Sequence, residues 1–332
     1  MDPLTHTVTG LLLSRAGLNR WTPLATPILL IAANSPDIDI VTAAGGSLSY
    51  LHYHRHLTHS LIAMPVMAVL SVALVSVVAR KPVRWAGAFA AALIAVATHV
   101  LLDLTNVYGV RLLLPFSARW FQLDLTSVVD LWIWAALLLC VGAPFLGRLV
   151  GSEIASNTKR SRSYGRGWAW FGLIFLFFYN GARGVLHSRA AAELNARMYQ
   201  GAEPLRVLAA PDAAAPWLWR GMVETGDFFA IEDLNLTREF DPTRATIFRK
   251  PDPSPALEAA RGNPVFVEFL RFAQFPFWQV LPVPDLADAL QVQAIDLRFG
   301  TPIAPAFVAT AIVDSQNRVT EAWFSYGRLR PR

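Results

Sequence analysis

The chain has 332 residues, 54% hydrophobic and 16% charged, with a formal net charge of +5. That length allows two domains. Residues 1–187 are dominated by Leu, Ala, Val, Ile and Trp with charge in short islands, whereas residues 188–332 alternate charged and apolar residues as a water-soluble domain does. Lys and Arg outnumber Asp and Glu by 14 to 7 over residues 1–187, or +7, whereas residues 188–332 carry 15 against 17, or −2.

The basic excess therefore sits in the apolar part, where it reports membrane topology, and no nucleic-acid partner is expected. The single cysteine, Cys140, rules out an intrachain disulfide and a Cys-rich zinc knuckle, and packs as a small hydrophobe. The first apolar run contains His6 and Arg15 and lacks the basic start and small-residue cleavage site of a signal peptide, so insertion is expected to use internal spans.

Pro3 to Leu18 predicts a short helix capped by Asp2 and closed near Gly17, and Pro23 to Ala33 a second. Each falls short of the roughly 20 apolar residues of a full span, and the pair reads as a helical hairpin. Its return brings His6 level with Asp37 and Asp39. Four longer runs follow as candidate spans: Leu61 to Ala79, Trp85 to Asp103, Val128 to Val150 and Trp168 to Leu186.

Arg80, Lys81 and Arg84 fall on the same side as Arg148, Lys159, Arg160, Arg162 and Arg166, the cytoplasmic side by the positive-inside rule. The histidine-rich stretch, the loop from Thr105 to Ser127 and the C-terminal part then face outward. Beyond Ser188, a helix from Arg189 to Tyr199 precedes segments that read as strands. These are Leu218 to Val223, Asp227 to Leu234, Ala245 to Arg249, Phe266 to Phe272, Gln291 to Phe299, Phe307 to Val313 and Val319 to Phe324. The last two form a hairpin about Asp314 to Arg318.

The expected architecture is a mainly α membrane-embedded helical bundle over 1–187, followed by a smaller soluble α+β domain, largely antiparallel β, over 188–332 and outside the cytoplasm.

Chemistry concentrates where these spans end. Leu51 to Ser60 holds His52, His54, His56 and His59, and His99 precedes Asp103 by one helical turn. Positions i and i+4 lie on one helix face, so one metal can take both side chains, or the acid can orient the imidazole. Asp37 and Asp39 flank Ile38 after Pro36; from an extended turn both reach a metal, whereas as solvated turn acids they would do nothing. His6 alone would be a packing residue; Asp130 reads equally as a helix-starting acid stabilised by the helix dipole or as a metal ligand or partner of Arg111 or Arg119. Imidazole with carboxylate suits zinc, and also manganese or iron. Arg55, beside the histidines, fits a phosphate or carboxylate oxygen.

Met-Asp-Pro-Leu-Thr-His6, Asn34-Ser-Pro-Asp-Ile-Asp39, His54-Arg-His-Leu-Thr-His-Ser60, His99-Val-Leu-Leu-Asp103 and Tyr108-Gly-Val-Arg-Leu-Leu-Leu-Pro-Phe116 occur in that order. The set resembles the bacterial inner-membrane proteins of the YdjM type, a family grouped with metal-dependent hydrolases and distantly with zinc-dependent phospholipase C and single-strand nucleases. His56 departs from it, standing where the family pattern carries a small residue. The resemblance implies metal-site roles for His6, Asp37 or Asp39, His54, His59, His99 and Asp103.

The expected function is a membrane-bound metal-dependent phosphoesterase acting on a lipid or lipid-linked phosphate, with Asp37 or Asp39 as general base and Arg55, with Arg111, on the phosphate charge. The alternative is a non-catalytic membrane protein whose metal ties helix ends together and whose C-terminal domain binds a partner.

Overall fold

The computed structural model describes residues 1–154, 165–284, 286 and 288–326. They divide into two compact units. The first comprises Met1–Asp39, Arg55–His187 and Pro211–Trp217, and the second Ile40–His54, Ser188–Ala210 and Leu218–Arg332.

The first unit is helical. Helix α1 (Pro3–Ala16) begins under the Asp2 carboxylate, which accepts from the amides of Leu4 at 3.0 Å and Thr5 at 3.1 Å. Asp2 also accepts from the indole of Trp134 at 3.0 Å, which ties this helix start to α6 (Leu131–Ile154). The remaining helices are α2 (Ala25–Ala32), α4 (Ala63–Ala79), α5 (Trp85–Leu104) and α7 (Arg166–Asn195).

Two cores form around α1. Ile28, Leu29, Ala68, Val72, Ala91 and Ala95 join α2, α4 and α5, while Leu12, Ile133, Leu137, Cys140 and Ala169 join α1, α6 and α7. Small residues set the spacing, as in membrane helix pairs. A Cβ on Gly10 would meet Ala33 Cβ at 2.8 Å and Leu29 O at 2.9 Å, so α1 and α2 approach closely there.

The Trp85–Leu104 and Arg166–Asn195 helices are long and apolar enough to cross a membrane, and a bent pair counted as one span adds each of two more. Against the expectation of four long runs, α4 has 17 residues and passes only together with Ser47–His59, to which it is bent by 87°. The apolar part of α6 is Leu131–Gly147, likewise short of a full span. The run of hydrophobic letters before α4 includes Leu61 and Ile62, which precede the helix proper. Of the basic residues assigned to one side, Lys159, Arg160 and Arg162 lie outside the described residues.

The helix expected at Arg189 to Tyr199 is the last part of α7, 30 residues without interruption despite Asn180, Gly181 and Arg183. Arg183 is buried and has a structural task. It donates from Nε to Leu125 O at 2.7 Å and from Nη1 to Pro216 O at 2.5 Å, which fixes Pro211–Trp217 to the helical unit. Asp130 acts as the helix-starting acid, accepting from the amides of Trp132 and Ile133 at 3.1 Å and from the Tyr179 hydroxyl at 3.0 Å.

The second unit contains α3 (Ser47–Tyr53) and two antiparallel four-stranded sheets. The first sheet is β1 (Arg206–Pro211), β2 (Leu218–Glu224), β3 (Phe228–Asn235) and β4 (Thr246–Arg249), and the second β5 (Pro276–Pro282), β6 (Leu290–Asp296), β7 (Val308–Val313) and β8 (Val319–Ser325). Both run in sequence order, and β7 and β8 form the expected hairpin, closed by the amide of Asp314 on Arg318 O at 3.0 Å.

Between the sheets in sequence come α8 (Pro255–Arg261) and α9 (Pro264–Phe272). The strand expected at Phe266 to Phe272 is thus a helix. Asn263 caps it by accepting from Val265 N at 3.0 Å, and Pro264 occupies its first position. Phe266, Phe269 and Phe272 recur at three-residue spacing and are all buried, the period of a helix face and not of a strand.

Candidate metal centre

Three segments of the helical unit meet at the C-terminal end of α5. The first is Ser35 to Asp39, the start of the 3-10 segment Ser35–Gly45 that follows α2, a helical conformation in place of the extended turn expected for Asp37 and Asp39. The second is the short 3-10 turn Leu57–His59 before α4, and the third is the last turns of α5 with His99 and Asp103. Asp37, His59, His99 and Asp103 each offer one ligand atom, and those four atoms lie within 4.8 Å of one another.

The separations are those of groups facing a common point. His59 Nε2 and His99 Nε2 are 3.2 Å apart. Asp103 Oδ2 is 3.2 Å from the first and 3.3 Å from the second. Asp37 Oδ1 is 3.5 Å from His59 Nε2 and 3.6 Å from His99 Nε2.

The other ring nitrogens define what these atoms can do. His99 Nδ1 is 2.7 Å from the carbonyl oxygen of Ala33, which can only accept, so Nδ1 carries the proton and Nε2 of the neutral ring presents a lone pair. His59 Nδ1 is 3.4 Å from Asp39 Oδ2 and 3.1 Å from the Thr58 hydroxyl, a carboxylate–imidazole arrangement that assigns the ring in the same sense. Two imidazole lone pairs and two carboxylate oxygens therefore converge without a hydrogen among them. Four acceptors at such distances repel one another unless a cation sits between them, and this donor set suits a divalent metal.

Asp103 sharpens the point. It is fully buried, and neither of its oxygens receives a hydrogen bond of proper geometry. Its charge is met by the Arg55 guanidinium, with Nη2 3.0 Å from Oδ1, and by the amino group of Met1. A buried carboxylate without directed donors is costly unless compensated by charge.

His6 lies beside the four and outside their group. Its ring stacks on His99 with centroids 3.7 Å apart, its Nε2 is 3.3 Å from Asp103 Oδ1, and neither nitrogen has a hydrogen-bond partner among the described residues. Asp39 and Asp37 bring carboxylate oxygens within 4.8 Å of each other, and besides facing His59 Asp39 accepts from the Arg55 amide at 2.8 Å and the Thr58 hydroxyl at 3.3 Å. It orients the site.

Arg55 is buried and held from several directions. Its Nη1 donates to Asn106 Oδ1 at 2.9 Å and Gly109 O at 3.4 Å, and its guanidinium lies 4.9 Å from the centre of the Tyr108 ring. Its φ of +54° places a branched cation in the left-handed region, strain of about 1–3 kcal/mol that the surrounding contacts sustain. Arg111 is also buried, its guanidinium 4.7 Å from the Trp120 ring centre.

His54 falls in the second unit, where its ring stacks on Tyr50 at 4.5 Å. His52 pairs there with Glu268, Nδ1 to Oε1 at 2.8 Å. His56 is half-buried and precedes the Leu57–His59 turn.

The residues that sequence reasoning passes over are Asn106 and the Ala33 carbonyl. Asn106 carried a usable signal. Its Oδ1 also accepts from Tyr108 N at 2.9 Å, the turn that Asn forms with the amide two residues on.

A helical unit with two helices long and apolar enough to cross a membrane, and a His and Asp cluster at the end of one of them, points to a membrane protein with a candidate metal site. The chain belongs to the YdjM inner membrane protein family, whose model matches residues 1–190. The uncharacterized protein YfhP of Bacillus subtilis (strain 168) is 25% identical over 325 residues, covering 93% of this chain and 90% of that protein. That similarity runs past the family match into the region of the two sheets. No solved structure matches the chain.

The geometry distinguishes the four groups whose ligand atoms converge from those that hydrogen-bond to them. Replacing His59, His99 or Asp103 by Ala is expected to abolish bound metal in purified protein assayed by elemental analysis. Asp39→Asn is expected to lower metal affinity by about 10–100-fold while leaving the site able to fill. Full metal content in His99→Ala would refute the assignment.

Proposed function

We propose that the protein is a membrane-embedded, metal-dependent hydrolase, a phosphoesterase acting on a lipid or lipid-linked phosphate. The observation that supports this most is the convergence of His59 Nε2, His99 Nε2, Asp37 Oδ1 and Asp103 Oδ2 within 4.8 Å at a helix end. These four would hold a divalent cation, zinc first, with manganese or iron as alternatives. Such an ion supplies Lewis acidity to a phosphoryl oxygen and to water.

The chain's own groups do the remaining work. The Ala33 carbonyl and Asp39 fix the rings of His99 and His59, so both lone pairs are aimed before any substrate arrives. Asp37, whose side chain is 22% exposed against 4% for Asp39, is the carboxylate within reach of water and takes the role of general base. Arg55, held on Asp103, brings fixed positive charge beside the cluster to oppose the charge that develops on phosphate.

A lipid substrate is supported by the depth of the site, which sits at the end of a membrane-crossing helix. Arg84 caps the start of α5 and His99 lies 15 positions further on, about 22 Å along the axis at 1.5 Å per residue. The basic end and the site are thus at opposite ends of that helix. With the basic end cytoplasmic, the chain is multi-pass and the site faces outward.

Two experiments test this reading. Hydrolysis by protein in lipid vesicles, measured over phosphatidic acid, a polyprenyl phosphate and a soluble aryl phosphate, is expected to favour the lipid esters. It should fall on the order of 10²–10⁴-fold in Asp37→Asn. Metal-dependent thermal stability without hydrolysis of any of these esters would leave the cation as a tie between helix ends and end the enzymatic reading. For orientation, a reporter fused after residue 332 is expected to be active only outside the cytoplasm; cytoplasmic activity would invert the assignment.

A further inference from the structure

The segment from Tyr108 to Phe116 is not explained by the metal cluster. It opens a loop closed as a ring, because Val110 and Phe121 exchange two backbone hydrogen bonds, each 2.9 Å. The base of the ring is packed. Tyr108, Val110, Arg111 and Trp120 are buried, and Tyr108 meets Trp120 edge-on at 5.8 Å.

That base touches the site. The Arg111 amide donates to Arg55 O at 3.3 Å, and Gly109 O accepts from the Arg55 guanidinium. The tip does the opposite. Leu113 is 42% exposed and Phe116 85%, the largest value among the exposed large hydrophobic side chains of the described residues.

What covers such a tip is indicated by its surroundings. Leu112 O accepts from Leu61 N at 2.9 Å, which sets the tip beside the start of α4. There Leu61, Ile62, Val66, Leu70 and Leu74 are each 51–55% exposed. The apolar tip is thus continuous with the exposed apolar flank of a membrane helix. Arg119, exposed and set 5.4 Å from the centre of the Phe121 ring, adds a cation beside the apolar tip. Aromatic and basic residues together at a helix end are the pattern of the bilayer interface.

We propose that the ring Arg111–Trp120 is an interfacial probe: Leu113 and Phe116 enter the boundary between headgroups and acyl chains, and Arg119 rests on lipid phosphate. The occupant is the bilayer itself, met next to the residue that carries positive charge into the site. This inference rests on the chain being a membrane protein and stands whether or not the site hydrolyses anything.

The test uses the full chain in vesicles of phosphatidylethanolamine and phosphatidylglycerol. Phe116→Cys and Leu113→Cys, each in a Cys140→Ala background, are spin-labelled, and collision with oxygen is compared with collision with a water-soluble nickel chelate. A label at Asn317→Cys in the β7–β8 turn serves as the aqueous reference. The expected result is oxygen accessibility exceeding nickel accessibility at 116 and 113, reversed at 317. Nickel accessibility at 116 equal to that at 317 would overturn the proposal. Protection from both reagents would overturn it too, because protein and not lipid would then cover the tip.

Discussion

Everything about the first unit turns on the mutual repulsion of four acceptors brought together in an apolar setting. The lone pairs of His59 and His99 face each other at 3.2 Å, with Asp37 and Asp103 completing the group. Nothing in hydrophobic packing asks for this arrangement, and burial makes it more costly. It persists because each donor is held from behind: His99 by the Ala33 carbonyl, His59 by Asp39 and Thr58, Asp103 by Arg55. A divalent cation would convert that cost into binding energy, since the four groups are already positioned.

The helices serve that end. Gly10 lets α1 close on α2, which carries Ala33 at its C-cap, and the small residues of α5 let α2 and α4 pack beside His99. The Asp2 cap fixes the start of α1 and so the position of His6. Arg55 links the cluster to the 105–127 loop through Asn106 and Gly109, which makes one layer of charge and hydrogen bonds over the end of α5.

Much of this was legible in the sequence wherever one local rule decides the outcome. The i and i+4 spacing of His99 and Asp103 places both in the cluster, and the Asp2 cap read correctly because helix starts have few solutions, whereas Asp130 stayed open until the fold set Trp132, Ile133 and Tyr179 around it. The histidine-rich stretch was legible only in part. A count of imidazoles does not show that the chain turns at Arg55, with φ +54°, or that His52 pairs with Glu268 more than 200 positions away. Asp37 and Asp39 were ambiguous for the same reason, since two acids of one turn differ only in what the fold sets opposite them.

Other features could not be read from letters at all. The Ala33 carbonyl assigns the His99 ring, yet every residue has a carbonyl. The strand expected at Phe266 to Phe272 overvalued aromatic content against the three-residue spacing and the Asn263–Pro264 start. The most direct test of the central claim is anomalous diffraction at a metal edge from metal-replete crystals. A peak about 2.0–2.2 Å from Nε2 of both His59 and His99 is the result expected here, and a metal-replete crystal without density between those two nitrogens would contradict it.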